Sequence, residues 1–79
     1  MAKRVKIYST PTCPFCIRTK QFLQENNIPF EDIDVSRNPQ AAEEMVRKSG
    51  QMGVPVLDIE GEIIVGFDKE RIKQALNIL

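Results

Sequence analysis

The chain has 79 residues, with eleven basic and eleven acidic side chains, two Cys and no His or Trp. At 42% hydrophobic and 28% charged, it has the composition of a small globular domain with a compact core and short connections. The missing His excludes Ser-His and Cys-His catalytic pairs and His-built metal centres, zero net charge gives no footprint for nucleic acid, and no run of ~18 apolar residues is available to span a membrane.

No apolar stretch follows Met1-Ala2-Lys3-Arg4 as a secretory leader would require. A cytoplasmic, monomeric protein with one domain over residues 1–79 is therefore expected. Two Cys three positions apart would close a trivial loop, so they are no disulfide framework. The zero net charge conceals a polarity. Residues 1–24 carry five bases and no acid, residues 25–62 nine acids against three bases, and residues 63–79 three bases against two acids.

Val5 and Ile7 alternate with Arg4, Lys6 and Tyr8, which predicts a strand over about 4–9. Ser9-Thr10-Pro11-Thr12 reads as a turn. A helix starts at Cys13 or Pro14, where Pro is favoured because its missing N–H would be unpaired anyway. Phe15, Cys16, Thr19, Phe22 and Leu23 fall on one arc of that helix, with Ile17 on the far side. Asn26-Asn27 ends it, since Asn tolerates the left-handed cap.

A second strand is expected over 30–34. Ser36 or Asn38 caps the next helix, with Pro39 in its first turn. Ala42, Met45, Val46 and Ser49 supply its apolar spacing, and Gly50 stops it. Residues 56–59 and 62–65 read as two strands joined across Glu60-Gly61, a hairpin signal. Asp68 is a candidate N-cap, and Ile72, Ala75, Leu76 and Leu79 form a last apolar stripe. The order is β-α-β-α-β-β-α. Its opening β-α-β implies parallel strands with a right-handed crossover. A four-stranded mixed sheet flanked by three helices, an α/β fold, follows.

The chemical centre is Cys13-Pro14-Phe15-Cys16. At a helix start, residues i and i+3 come close enough for a disulfide to open and close with little backbone movement. The first turn also presents unpaired N–H groups and about half a positive charge, which favour a thiolate at Cys13. A free thiol is only roughly 3% ionised at pH 7. The helix terminus supplies about 1–2 kcal/mol at best toward changing that. Further support is expected from hydrogen bonds to the sulfur, from Cys16, and from Arg18 or Lys20. Cys13 is thus read as the nucleophile, and Cys16, a turn further in, as the resolving thiol. The same spacing also suits half of a metal site shared by two chains, or two inert buried thiols. The strand–turn–helix context favours redox exchange.

Two further segments carry a bland and a functional reading. Pro55 can simply open a strand. If cis, it would face the Cys loop and leave the Val54 backbone to pair with an extended thiol substrate. Gly66-Phe67-Asp68 can be a turn and a cap. Equally, its N–H groups suit a carboxylate, and the Asp68 side chain an amine.

Tyr8-x4-Cys13-Pro14-Phe15-Cys16, Ser49-Gly50 before Val54-Pro55, and Gly66-Phe67-Asp68 before the last helix together resemble the glutaredoxins of the thioredoxin fold, over essentially the whole chain. The resemblance implies strand order 2-1-3-4 and a cis Pro55. It implies reduction of protein disulfides and of glutathione mixed disulfides, with no bound cofactor and glutathione as co-substrate. The implied groove involves Thr12, Phe15, Gln51, Val54, Pro55, Gly66, Phe67 and Asp68. Pro14, Arg18 and Lys20 are read from their positions as supporting the thiols.

Departures from the family pattern stand at Thr10-Pro11, where many members carry Lys, at Gly53, often Thr, and at Lys69, often an acid. Gln51 would then donate to the glycine carboxylate of glutathione. The redoxins that serve ribonucleotide reductase and draw on thioredoxin reductase share this size and are the near alternative. A dimeric iron–sulfur carrier is a further one, which the stiffness of Pro14 disfavours.

Overall fold

The structure, a computed structural model, describes residues 4–77. The last residue of the predicted apolar stripe, Leu79, lies outside that range. The elements are β1 (Val5–Ser9), α1 (Pro14–Glu25), β2 (Glu31–Asp34), α2 (Pro39–Ser49), β3 (Val56–Ile59), β4 (Glu62–Val65) and α3 (Lys69–Leu76). The sheet order is β2-β1-β3-β4. β1 pairs in parallel with β2 and antiparallel with β3, and β3 and β4 form an antiparallel hairpin. This is the mixed four-stranded α/β sheet expected from the element order, with the strand order that the resemblance to the thioredoxin fold implies.

Strand alternation divides the sheet into two faces. Val5, Ile7, Leu57, Ile59 and Ile64 pack with Phe22 and Leu23 of α1 and Ile72 and Ala75 of α3. Tyr8 and Val56, on the opposite face, pack with Ala41 and Met45 of α2. Two helices therefore cover one side and one covers the other. β1, one of the two interior strands, carries its C-terminal end to the place where the chain leaves through α1 for β2 on one side, with β3, reached through α2, on the other. In open α/β sheets that is where ligand sites form.

The caps explain the boundaries. Asn38, not Ser36, caps α2, its side chain accepting from the Ala41 N–H at 3.1 Å. Gly50 ends α2 in the left-handed conformation at φ 76. At the end of α1 it is Asn27, with φ 56, that turns left-handed. Asp68 caps α3 by accepting from the Arg71 N–H at 3.3 Å.

α3 ends at Leu76, with Asn77 left-handed at φ 58. Two expectations are corrected. Ala41 is the buried alanine of α2, while Ala42 is only half-buried. Phe15 lies on the predicted arc of α1 yet is 56% exposed, while Cys16, Thr19, Phe22 and Leu23 of the same arc are buried.

Candidate active site

Cys13 occupies the N-cap of α1 with an extended backbone (φ −88, ψ 112). Its sulfur takes the role that a Ser or Asp oxygen usually fills. The Cys16 N–H donates to Cys13 Sγ at 3.1 Å. Pro14 begins the helix, and no acidic residue stands in its first turn, so the positive end of the helix is not offset beside the sulfur. The Cys13 amide itself donates to the Thr10 carbonyl at 3.4 Å, closing the loop over Pro11 and Thr12. Thr12 is exposed in that turn.

The two thiols are free and differ in environment: Cys13 is half-buried and Cys16 fully buried. Burial pushes the Cys16 thiol up to about 12, helped by the neighbouring Cys13 sulfur. A backbone hydrogen bond from Thr10 and the Lys20 ammonium act the other way. At neutral pH Cys16 is a proton-bearing thiol, suited to a second step rather than a first.

The Val54–Pro55 peptide is cis. The Val54 carbonyl lies 3.9 Å from Cys13 Sγ, which sets this segment against the thiol loop. Among the described residues the Val54 N–H has no hydrogen-bond partner. Pro55 is buried, and its carbonyl accepts from the Gly66 N–H at 2.8 Å. That bond ties the end of β4 to the same segment, with Gly66 at φ 80. The Gln51 side-chain amide folds over Gly53, close enough that a Cβ there would meet it at 3.2 Å. Cys13, Val54, Pro55, Gln51 and Gly66 thus share one end of the molecule through a continuous set of contacts.

Other expected residues are placed differently. The Phe67 ring packs edge-on against Phe22 at 6.1 Å and joins the main core, leaving its backbone for any groove. The Asp68 carboxylate is engaged as the α3 cap. Arg18 lies over the exposed Phe15 ring at 5.8 Å. Lys20 Nζ pairs with Asp32 Oδ2 at 2.8 Å. The Ser9 hydroxyl donates to the other oxygen of that carboxylate, Oδ1, at 2.7 Å.

Sequence reasoning missed Ser9 and Asp32. Their alternation within β1 and β2 put them on the α1 side, but only the parallel register, with Ser9 opposite Asp34, brings them together. It also missed a polar cluster under α2. Tyr8, with no exposed surface, donates to Glu44 at 2.6 Å. Lys48 reaches Tyr8, Glu44 and Asp58 at 3.1, 3.0 and 2.6 Å. Only the i, i+4 pair Glu44–Lys48 was legible beforehand.

Comparison with known proteins places this geometry. A family model described as glutaredoxin matches residues 5–64. A glutaredoxin-like 8.6 kDa protein from the rubredoxin operon of Clostridium pasteurianum, itself described as uncharacterized, is 50% identical over 91% of this chain and 96% of its own. Among solved structures, a mutant form of the thioredoxin-like protein BC3987 superposes with TM-score 0.90 at 33% identity, covering 95% of this chain and 96% of that one. The glutaredoxin-like NrdH-redoxin of Escherichia coli, described as having a thioredoxin-like activity profile, superposes with TM-score 0.81 at 32% identity, covering 90% and 92%.

Proposed function

Because the chain belongs to the glutaredoxin family, we propose that it is a dithiol oxidoreductase that reduces protein disulfides and glutathione mixed disulfides through Cys13 and Cys16. The observation that carries this reading is the Cys16 N–H donating to Cys13 Sγ at 3.1 Å, at a helix start free of acids. Cys13 attacks the substrate disulfide. One substrate sulfur leaves with the electron pair and takes a proton, and the other remains bonded to Cys13. Cys16 then attacks Cys13 Sγ, forms the internal disulfide and releases the second thiol. Alternatively a glutathione thiolate attacks the glutathione sulfur of the mixed disulfide and returns Cys13 as thiolate.

The open Val54 N–H and its carbonyl fit an extended cysteinyl backbone beside Cys13, in the manner of an added strand. Gln51 would serve the glycine carboxylate. The backbone N–H groups of Phe67 and Asp68 would serve the glutamyl end. A cytoplasmic setting, which keeps such dithiols reduced, and action as a monomer without a bound cofactor complete the reading.

A second reading rests on the likeness to the NrdH-redoxin. Thr10-Pro11 and Lys69 stand where many glutathione users carry a cation and an acid. On that reading thioredoxin reductase, rather than glutathione, returns the electrons.

Two measurements test these readings. Cys13→Ser should bring reduction of a small glutathione mixed disulfide to background, while Cys16→Ser should retain it and lose protein-disulfide reduction. Full activity in Cys13→Ser would sink the assignment. The oxidised protein should turn over with glutathione and glutathione reductase. Turnover with thioredoxin reductase alone would decide for the second reading.

A further inference from the structure

The resolving step poses a problem that the attacking step does not. Cys16 has no exposed surface, yet it must become a nucleophile once Cys13 carries the substrate. The charged and titratable groups facing it are few. α1 supplies Cys13 and Lys20, the latter one turn beyond Cys16 on the same side of the helix. β2 supplies Asp32 and Asp34, both within the field of Lys20. β1 offers only the Ser9 hydroxyl, and the loop between β1 and α1 the Thr10 backbone.

We propose that Lys20, fixed by Asp32 and Ser9, is a positioning residue for the second half of the reaction, holding its ammonium where it stabilises the Cys16 thiolate. This rests on the thiol-exchange reading above. The clamp has three parts. Ser9 is 2% exposed and anchors Asp32 Oδ1 from β1 at 2.7 Å. Asp32 Oδ2 holds Lys20 Nζ at 2.8 Å. The helix then sets Lys20 four residues from Cys16, the spacing at which side chains on a helix are neighbours.

The arrangement also orders the two steps. While Cys13 is free, its sulfur opposes charge on Cys16 both as a hydrogen-bond partner and as a like charge. Forming the mixed disulfide removes that opposition. Burial, the largest influence against charge on Cys16, remains, and the influences left to work against it are the Thr10 backbone and Lys20. Cys16 then gives its proton to solvent, and its sulfur bonds to Cys13 Sγ. The bond between Cys13 and the substrate sulfur breaks, and the departing sulfur takes the electron pair and a proton. Two electrons pass from the dithiol to the substrate, with no other reductant needed.

A symmetrical aromatic disulfide whose thiolate is coloured separates the steps in one stopped-flow trace. The first release reports attack by Cys13, the second attack by Cys16. In Lys20→Met the second release should slow about tenfold at neutral pH, and its pH midpoint should rise by about one unit. The first release should stay within about twofold. Lys20→Arg, which keeps the charge, should restore the second release to within about threefold. An unmoved second phase and midpoint in Lys20→Met would overturn the proposal, and so would equal slowing of both phases. A slowed first phase alone would assign Lys20 to Cys13 instead. Loss of the first release from the unmodified protein, or a second release persisting in Cys16→Ser, would overturn the thiol-exchange reading along with it.

Discussion

At the residue scale, position within one helical turn separates the two cysteines. Cys13 caps the helix and receives an N–H, and Cys16, three residues on, meets the core. Phe15 between them departs furthest from its sequence pattern. Helical spacing groups its ring with the buried arc of α1, but it stands exposed under the Arg18 guanidinium beside the nucleophile. An exposed aromatic there contributes little to the fold and is free to flank a bound thiol. Phe15→Ala should therefore leave the melting temperature within about 4 °C, since surface changes cost within about 0.5 kcal/mol. The same variant should raise KM for a glutathione mixed disulfide roughly fivefold, the loss of about 1 kcal/mol of contact. Steady-state kinetics beside a thermal melt check both. A clearly larger fall in melting temperature with an unchanged KM would return Phe15 to the core.

At the element scale, local chemistry set nearly every boundary. Asn38, Gly50 and Asp68 mark helix ends by mechanisms written in their own side chains or lack of one. The β3–β4 hairpin turns at Glu60 and Gly61, with φ of 53 and 93, the pair of positive angles that a type I′ turn requires. A Cβ at Gly61 would meet nothing within 4 Å, so Gly61→Ala isolates the backbone penalty. It should cost about 1–2 kcal/mol, read as a lower urea midpoint with an unchanged slope. No loss would mean that the turn relaxes freely.

Element order, strand limits and the Cys pair were legible because each depends on residues close in sequence. The Ser9–Asp32–Lys20 clamp and the Tyr8 cluster were not. Each joins residues of different elements, and which of them meet depends on strand register, a one-residue slip of which exchanges the two faces.

At the scale of the whole molecule, the segregation of charge along the chain is partly consumed by folding. The basic first segment meets the acidic second one where Lys20 pairs with Asp32, and the Arg4 backbone N–H donates to the Glu60 carboxylate. Beneath α2 a second meeting occurs within the acidic segment, with Lys48 between Glu44 and Asp58. Hydrogen bonds from Tyr8 and Lys48 hold the Glu44 carboxyl below its usual range. Burial pushes Asp58 up, but Lys48 and the Gly61 N–H outweigh it, and Asp58 also ends low. Asp34 is lowered by Ser36.

Groups depressed on folding contribute stability above their unfolded values, and that contribution is lost as pH falls through the folded ones. The acid limb should thus begin near pH 5 and steepen below it. On the alkaline side Cys16 is raised by burial to about 12 from 9.0, and Lys48 is raised by Asp58. Groups raised on folding contribute fully below their unfolded values and lose that contribution as pH climbs. Stability should therefore fall from about pH 9 upward, first through Cys16.

Lys48→Met separates the limbs. It leaves Asp58, only 13% exposed at its side chain, buried without its cation, so the plateau should drop by about 1–3 kcal/mol. The acid limb should also flatten in part, because Asp58 keeps only the Gly61 N–H and Glu44 only the Tyr8 hydroxyl of the partners that lowered them. The alkaline limb from Cys16 should remain. Urea unfolding across pH 3–11 reads all three. An acid limb as steep as in the unmodified protein would show that Lys48 does not tie α2 to the sheet in this way.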